Sequence, residues 1–208
     1  MARERRKVGF LEQWIWYHIA GFALTVALAI SLDPIDDALG FSMGEVLMGV
    51  SISLAVGLME WAMLRKFGIG AAWVGYTVAG FTLAFVLLDI INMYFHIKSS
   101  NELQVTAIVA GAFLAALFQY IFILRRFNGS GVRWVLLYMI GWTAAYYSSM
   151  SVSIVPRLPV KGILSLPIAL ILIFSGAVLL AWITSGYLRS ALEKIPELPE
   201  AEVGQDLI

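Results

Sequence analysis

Six stretches of mostly apolar residues follow one another along the chain, at about 12–32, 44–64, 71–96, 103–124, 132–155 and 163–188. A helix needs ~20 such residues to cross the hydrocarbon core of a bilayer, and each stretch is long enough. The breaks between them are short and carry turn chemistry: Asp33-Pro34, Phe67-Gly68-Ile69-Gly70, Ser99-Ser100-Asn101, Asn128-Gly129-Ser130-Gly131, and Pro156 to Pro159. Six long apolar helices in 208 residues leave too little polar surface for a water-soluble domain. Charged residues make up 13% of the chain and hydrophobic ones 61%, whereas a soluble domain is about 25% charged. The pattern predicts an all-α membrane protein of six transmembrane helices. Residues 1–10 form a basic start, 11–190 the transmembrane domain, and 191–208 a polar tail bearing Pro196 and Pro199. The first stretch has a signal-peptide look, with a basic start and the small triplet Ala27-Leu28-Ala29. Its length, and its place in the repeat below, keep it as a mature helix.

Basic residues set the orientation, because loops on the cytoplasmic side collect them. With the N-terminus inside, 11 of the 14 fall inside: Arg3, Arg5, Arg6, Lys7, Arg65, Lys66, Arg125, Arg126, Arg133, Arg189 and Lys194. Only Lys98, Arg157 and Lys161 fall outside, and the first outer loop is acidic, with Asp33, Asp36, Asp37 and Glu45. Both ends are therefore expected in the cytoplasm, in a cell (inner) membrane. A net charge of zero argues against nucleic acid as a partner. The absence of cysteine removes disulfides and thiol chemistry. Two histidines are too few for most histidine-based metal sites, and nothing in the sequence implies a cofactor.

The chain repeats. Trp14 is followed seven residues on by Gly21, Trp73 by Gly80, and Trp134 by Gly141. Later in each unit comes Gly57-Leu58-Met59-Glu60-Trp61, then Ala116-Leu117-Phe118-Gln119-Tyr120, then Val178-Leu179-Leu180-Ala181-Trp182. The gaps from first Trp to last aromatic are 47, 47 and 48 residues. Interface tryptophans alone would not give three near-equal gaps with one glycine offset. Three similar helical hairpins, about 11–66, 70–126 and 131–190, are expected to form a pseudo-threefold bundle. Small residues at helical spacing mark the packed faces: Gly21 and Thr25 beyond His18, Gly49, Ser53 and Gly57 before Glu60, Gly80 and Ala84 beyond Thr77, and Gly141 and Ala145 beyond Tyr138.

At Gly57 to Arg65 the run Gly-Leu-x-Glu-Trp-x-x-Leu-Arg resembles a loose group of small bacterial polytopic membrane proteins. Their hairpins carry Gly-Leu-x-Gln/Glu-Trp-x-x-Leu-Arg, usually with glutamine where this chain has Glu60. The second hairpin departs with Gln119-Tyr120, and the third lacks the polar residue. The resemblance implies a polytopic membrane protein and no catalytic activity.

Ionisable groups within a membrane are costly and each needs a reason. Glu60 lies five residues before Arg65, roughly 7 Å from the helix end at 1.5 Å per residue. His18 has a similar depth on the first helix. The repeat sets Thr77 and Tyr138 at the level of His18, and Gln119 at that of Glu60. A polar layer of His18, Glu60, Thr77, Gln119 and Tyr138 is thus expected near the inner leaflet, with a His18–Glu60 hydrogen bond at its centre. It either ties helices together or holds a ligand or proton, unless Glu60 snorkels to the interface. A second group, Asp89, Asn92 and His96, shares one face toward the outer end. It reads as an interfacial cap, with Asp89 bonded to the hydroxyl-rich end of helix five, or as an outer pocket.

The sequence argues against several sharper chemistries. His18 and His96 lie at opposite faces, so they cannot share a haem. A rhomboid-type protease needs a serine and a histidine at one depth, and no histidine follows helix three. Carrier, aquaporin and phosphate-loop signatures are absent. The expectation is a non-catalytic accessory or assembly module of a membrane complex, with the bilayer and other subunits as partners. Two alternatives stand beside it: a small-solute or ion transporter or channel using the polar layer, and a lipid- or pigment-binding protein. Transporters usually show broken helices or midplane charges, and here the charges sit near the faces. The aromatic residues are expected to form an inner interfacial belt of Trp14, Trp16, Trp61, Trp73, Trp134 and Trp182.

Overall fold

The computed structural model describes residues 2–39, 44–95, 101–127, 130–152 and 165–193. Among them are six α-helices and no strand: α1 (Ala2–Leu39), α2 (Gly44–Leu64), α3 (Ala72–Phe95), α4 (Asn101–Phe122), α5 (Gly131–Met150) and α6 (Ser165–Leu192). His96 and residues 194–208 of the polar tail lie outside the described residues. Each helix packs on its neighbour in the chain, and α6 returns to α1, so the six close into a ring. Four of them, α2, α3, α4 and α6, are long and apolar enough to cross a membrane.

The expected boundaries hold within a few residues for α2 to α4, but α1 differs. It runs through Asp33-Pro34 to Leu39, where a break was expected. A proline inside a helix removes one backbone bond and clashes with the preceding turn, yet here the helix continues beyond it. The basic start of the chain is also helical from Ala2.

Turns at the basic end are made by local chemistry. After α2 a 3₁₀ turn, Arg65–Phe67, ends on Gly68 at φ 72°, where its N–H bonds back to the Arg65 carbonyl. Only a residue without Cβ takes that left-handed conformation freely. Ser130 caps α5, its side chain accepting from the Arg133 N–H. Lys66 Nζ donates to Gln13 Oε1 across α1 and α2, and the Arg126 guanidinium reaches the Gly68 carbonyl at 3.4 Å. The starts of α1, α3 and α5 and the finishes of α2, α4 and α6 therefore share one basic end.

An aromatic column fills the bundle above that end. Trp134 packs on Tyr187 and on Trp73 with ring centroids 5.4 and 6.0 Å apart. Tyr138 follows at 5.0 Å from Trp134. Farther along, Trp142 meets Phe81 at 4.7 Å and Phe22 at 6.1 Å. Small residues let the outer helices close on this column. The closest approach is at Gly80, where a Cβ would stand 2.3 Å from the Ala115 backbone nitrogen. Backbone cannot yield as a flexible side chain does, so α3 and α4 would have to separate. Gly80→Ala is therefore expected to destabilise the protein by about 1–3 kcal/mol. Gly75→Ala, on the open face of the same helix with nothing within 4 Å of the added carbon, is expected to be neutral or stabilising. Unfolding in detergent followed by circular dichroism checks the pair, and equal effects would remove the close-approach argument.

Candidate functional site: a buried polar layer

The structure brings His18, Glu60, Thr77, Gln119 and Tyr138 together inside the basic half of the bundle, none of them more than 1% exposed. Helical register delivers them. His18, Thr77 and Tyr138 each stand one turn after a tryptophan, at Trp14, Trp73 and Trp134, so each pair shares a face. Glu60 and Gln119 come from the returning helices α2 and α4.

His18 Nδ1 lies 2.9 Å from the Trp14 carbonyl oxygen, and Nε2 lies 3.2 Å from Glu60 Oε1. A carbonyl oxygen only accepts, so Nδ1 carries a hydrogen. Nε2 and Oε1 then hold one proton between them, either as imidazolium facing carboxylate or as imidazole facing carboxylic acid. The pair has no net charge in either form. That neutrality allows two ionisable groups to sit away from water, where an unpaired charge would be strongly destabilising.

The other carboxyl oxygen, Oε2, accepts from Trp73 Nε1 at 2.9 Å and from the Tyr138 hydroxyl at 3.4 Å. One carboxyl on α2 thus bonds to a partner from each of α1, α3 and α5. Gln119 Nε2 donates to Thr77 Oγ1 at 2.9 Å, and that hydroxyl donates on to the Trp73 carbonyl. Trp14 Nε1 donates to Thr184 Oγ1 at 3.0 Å, which joins α6 to α1. All six helices are connected through this one set of bonds. Gln119 Oε1, Trp134 Nε1 and Trp142 Nε1 remain buried without a hydrogen-bond partner among the described residues.

Sequence reasoning missed three members, Trp14, Trp73 and Thr184. It had set the tryptophans in an interfacial belt, and the structure corrects that. Trp14, Trp73 and Trp134 are 0% exposed, while Trp16 and Trp182 are 62% and 65% exposed. Trp14 and Trp73 find acceptors inside the bundle, whereas Trp134 is held by ring packing on Trp73, Tyr138 and Tyr187. The available signal was the i, i+4 spacing from each tryptophan to a candidate polar residue.

Of the second group, His96 lies outside the described residues, and Asp89 and Asn92 share α3. Asp89 and Asn92 are half-buried, and Asn92 Oδ1 is buried without a partner among the described residues. The hydroxyls expected to meet Asp89 are bonded elsewhere. Tyr146 donates to Gln104 on α4, Ser148 to the Leu172 carbonyl on α6, and Ser149 and Ser151 to carbonyls of α5 itself. The reason is the ring order: α5 lies between α4 and α6, while α3 lies between α2 and α4.

One cavity, of about 230 Å³, lies beyond the layer, away from the basic end. None of the five layer residues is among its walls. Among the described residues no three of His, Asp and Glu cluster as a metal ion would need. No protein-family model, characterised protein or solved structure matches the chain. Fold and site define a class: an all-α bundle with membrane-capable helices, built around a closed polar layer. Beyond that class, the chemistry of the site has to speak for itself.

The Glu60–Trp73 bond is open to test. Trp73→Phe keeps most of the ring and removes the donor, and should cost about 1–3 kcal/mol. In a Glu60→Ala background, where the acceptor is already gone, the same change should cost measurably less. A double-mutant cycle from denaturant unfolding gives the coupling, and fully additive effects would show that the bond contributes nothing.

Proposed function

We propose that the chain is a non-catalytic membrane module that crosses the bilayer six times as three like hairpins, with both ends in the cytoplasm. Its polar layer is a clasp that fixes the bundle, and its role is that of an accessory or assembly subunit. The observation that carries this reading is the closure of the layer. His18 and Glu60 spend their hydrogen bonds on neighbouring helices, are sealed from solvent, and do not touch the cavity.

The membrane reading extends to α1 and α5, which fall short of the others in apolarity. Of the residues that lower it, His18, Trp134 and Tyr138 point inward, while Glu12, Gln13 and Arg133 are exposed near the basic end. The outward row of α5, Val132, Leu136 and Ile140, is apolar and 72%, 51% and 55% exposed. Leu87, Ile90 and Met93 on α3 are likewise exposed. A surface of this kind suits lipid and would be an aggregation hazard in water. The repeat has parallel support. Trp14, Trp73 and Trp134 are all wholly buried. Gly21, Gly80 and Gly141 each face the returning helix of their own hairpin, at Val56, Ala115 and Leu180.

A second reading, a transporter or channel for an ion or small solute, draws on the unpartnered Gln119 Oε1 at the heart of the layer. Substitution of Glu60 separates the two. As a clasp, Glu60→Gln keeps an acceptor for Trp73 and a donor for neutral His18, and should shift stability by less than about 1 kcal/mol. Glu60→Ala should cost about 3–5 kcal/mol, because it strands His18, Trp73 and Tyr138. If Glu60→Gln left stability alone yet abolished a flux measured in proteoliposomes, the transport reading would replace the clasp. Purification in mild detergent should bring down a partner subunit in fixed ratio.

Topology has its own test. Tags on either terminus should resist external protease in intact cells, and a cysteine placed at Asp36 should react with an impermeant reagent. External labelling of the C-terminal tail would overturn the orientation.

A further inference from the structure

We propose that the cavity beyond the polar layer holds the end of one hydrocarbon chain of a bilayer lipid, entering from the face opposite the basic end. The proposal rests on reading the bundle as membrane-spanning. Five helices build the walls: Val26 from α1, Met48 and Ile52 from α2, Ile108 from α4, Met150 from α5 and Ile173 from α6. The cavity therefore lies inside the ring, not between a helix and its surroundings.

Its floor is aromatic. Phe22 and Trp142 both line it, and their rings stack with a 24° interplanar angle. Phe22 stands four residues after His18, and Trp142 four after Tyr138, one turn beyond the layer. With Glu60 roughly 7 Å from the Arg65 end of α2 by rise per residue and His18 level with it, Phe22 comes roughly 6 Å deeper. That is close to the middle of a hydrocarbon core ~30 Å thick. The chain ends of lipids in the opposite leaflet terminate at this depth. Terminal methyl on floor and head group toward the mouth is the orientation a lipid already has there.

Chemistry selects the guest. Water in a buried site needs two to four polar partners, and these walls offer few. Their hydroxyls are spent, Thr25 on the Gly21 carbonyl, Ser149 on the Ala145 carbonyl and Tyr146 on Gln104 Oε1 at 3.2 Å, and the buried, unpartnered Trp142 Nε1 is a single donor, short of what a water needs. Size narrows the choice further. An apolar cavity of ~150 Å³ admits a benzene, and pockets for whole ligands run from about 300 Å³. At about 230 Å³ the space suits the end of a chain and is small for a pigment or a head group. The surrounding bilayer supplies such chains at a concentration no soluble ligand reaches.

The test is photolabelling in vesicles of phosphatidylethanolamine and phosphatidylglycerol that contain a phospholipid with a diazirine at the chain terminus. Peptide mapping of the wild-type protein should show adducts at Phe22 or Trp142 and on the wall residues Met48 and Ile108. Adducts are also expected on the outward Leu87 and Ile140. Moving the diazirine next to the ester should shift cavity adducts away from the floor. Ile52→Phe with Ile173→Phe, which fills the space, should lower the cavity adducts about tenfold and leave Leu87 and Ile140 unchanged. Should that variant not elute as a folded species, Val26→Phe enters from another wall, and the wild-type depth comparison stands alone. Labelling at Leu87 and Ile140 with none in the cavity would overturn the lipid site and spare the membrane reading. Silence at all of these positions would overturn both. Cavity adducts that persist in the filled variants, or that ignore the diazirine position, would show adventitious labelling and also defeat the proposal.

Discussion

The bundle depends on one carboxyl group having no water to turn to. Glu60 sits on α2 at 1% exposure, and everything that satisfies it must come from other helices. His18 brings a proton-sharing nitrogen from α1, Trp73 an indole N–H from α3, and Tyr138 a hydroxyl from α5. In a membrane the hydrophobic effect does not press helices together, since lipid is as apolar as leucine. Helix order must come from packing and from bonds of this kind. A single polar bond between helices contributes only about 0.6 kcal/mol on average. The asymmetry matters more: any arrangement that moved one of the three odd helices away would strand a buried donor or acceptor, at about 1–3 kcal/mol for each. The layer therefore acts less by adding stability than by excluding other packings.

Packing and polarity are coupled through the tryptophans. Each of Trp14, Trp73 and Trp134 fills the centre of the bundle, and the residue one turn later carries a polar group at the same radius. Large rings at the core keep the helices apart, while glycines such as Gly80 bring α3 and α4 into backbone contact just beyond. The alternation of bulk and absence lets long polar side chains meet without opening a water path.

Much of this was legible in the sequence. Six helices followed from apolar length and turn chemistry. The polar layer followed from counting residues in from Trp14 and Arg65 and from small-residue faces, because both rest on fixed helical rise and register. What failed shares a cause. A one-dimensional pattern gives the depth of a residue along its helix but not the direction in which it points. Tryptophan is common at membrane interfaces, so Trp14, Trp73 and Trp134 were set in a belt when they belong to the core. Asp89 has the right depth to meet the hydroxyls of α5, but ring order puts α4 between them. Pro34 reads as a stop, yet the helix passes it. Radial position, and which helices are neighbours, are decided by tertiary packing, and no spacing rule contains them.

On the proposed repeat, the departure of the third hairpin is what makes Glu60 singular. The first hairpin pairs His18 with Glu60 and the second pairs Thr77 with Gln119, at the same separation of 42 residues. In the third, the residue aligned with Glu60 and Gln119 is Ala181, buried and without a polar side-chain atom. A shorter side chain than tyrosine would be left with an unmet hydroxyl. The phenol is long enough to cross the bundle axis and end at Glu60 Oε2. A polar partner in the third hairpin would keep Tyr138 apart from the first two pairs, which Trp73 already joins at Glu60. Without that partner α5 enters the same set, with one carboxyl at its hub, so that a change at Glu60 reaches α1, α3 and α5 together.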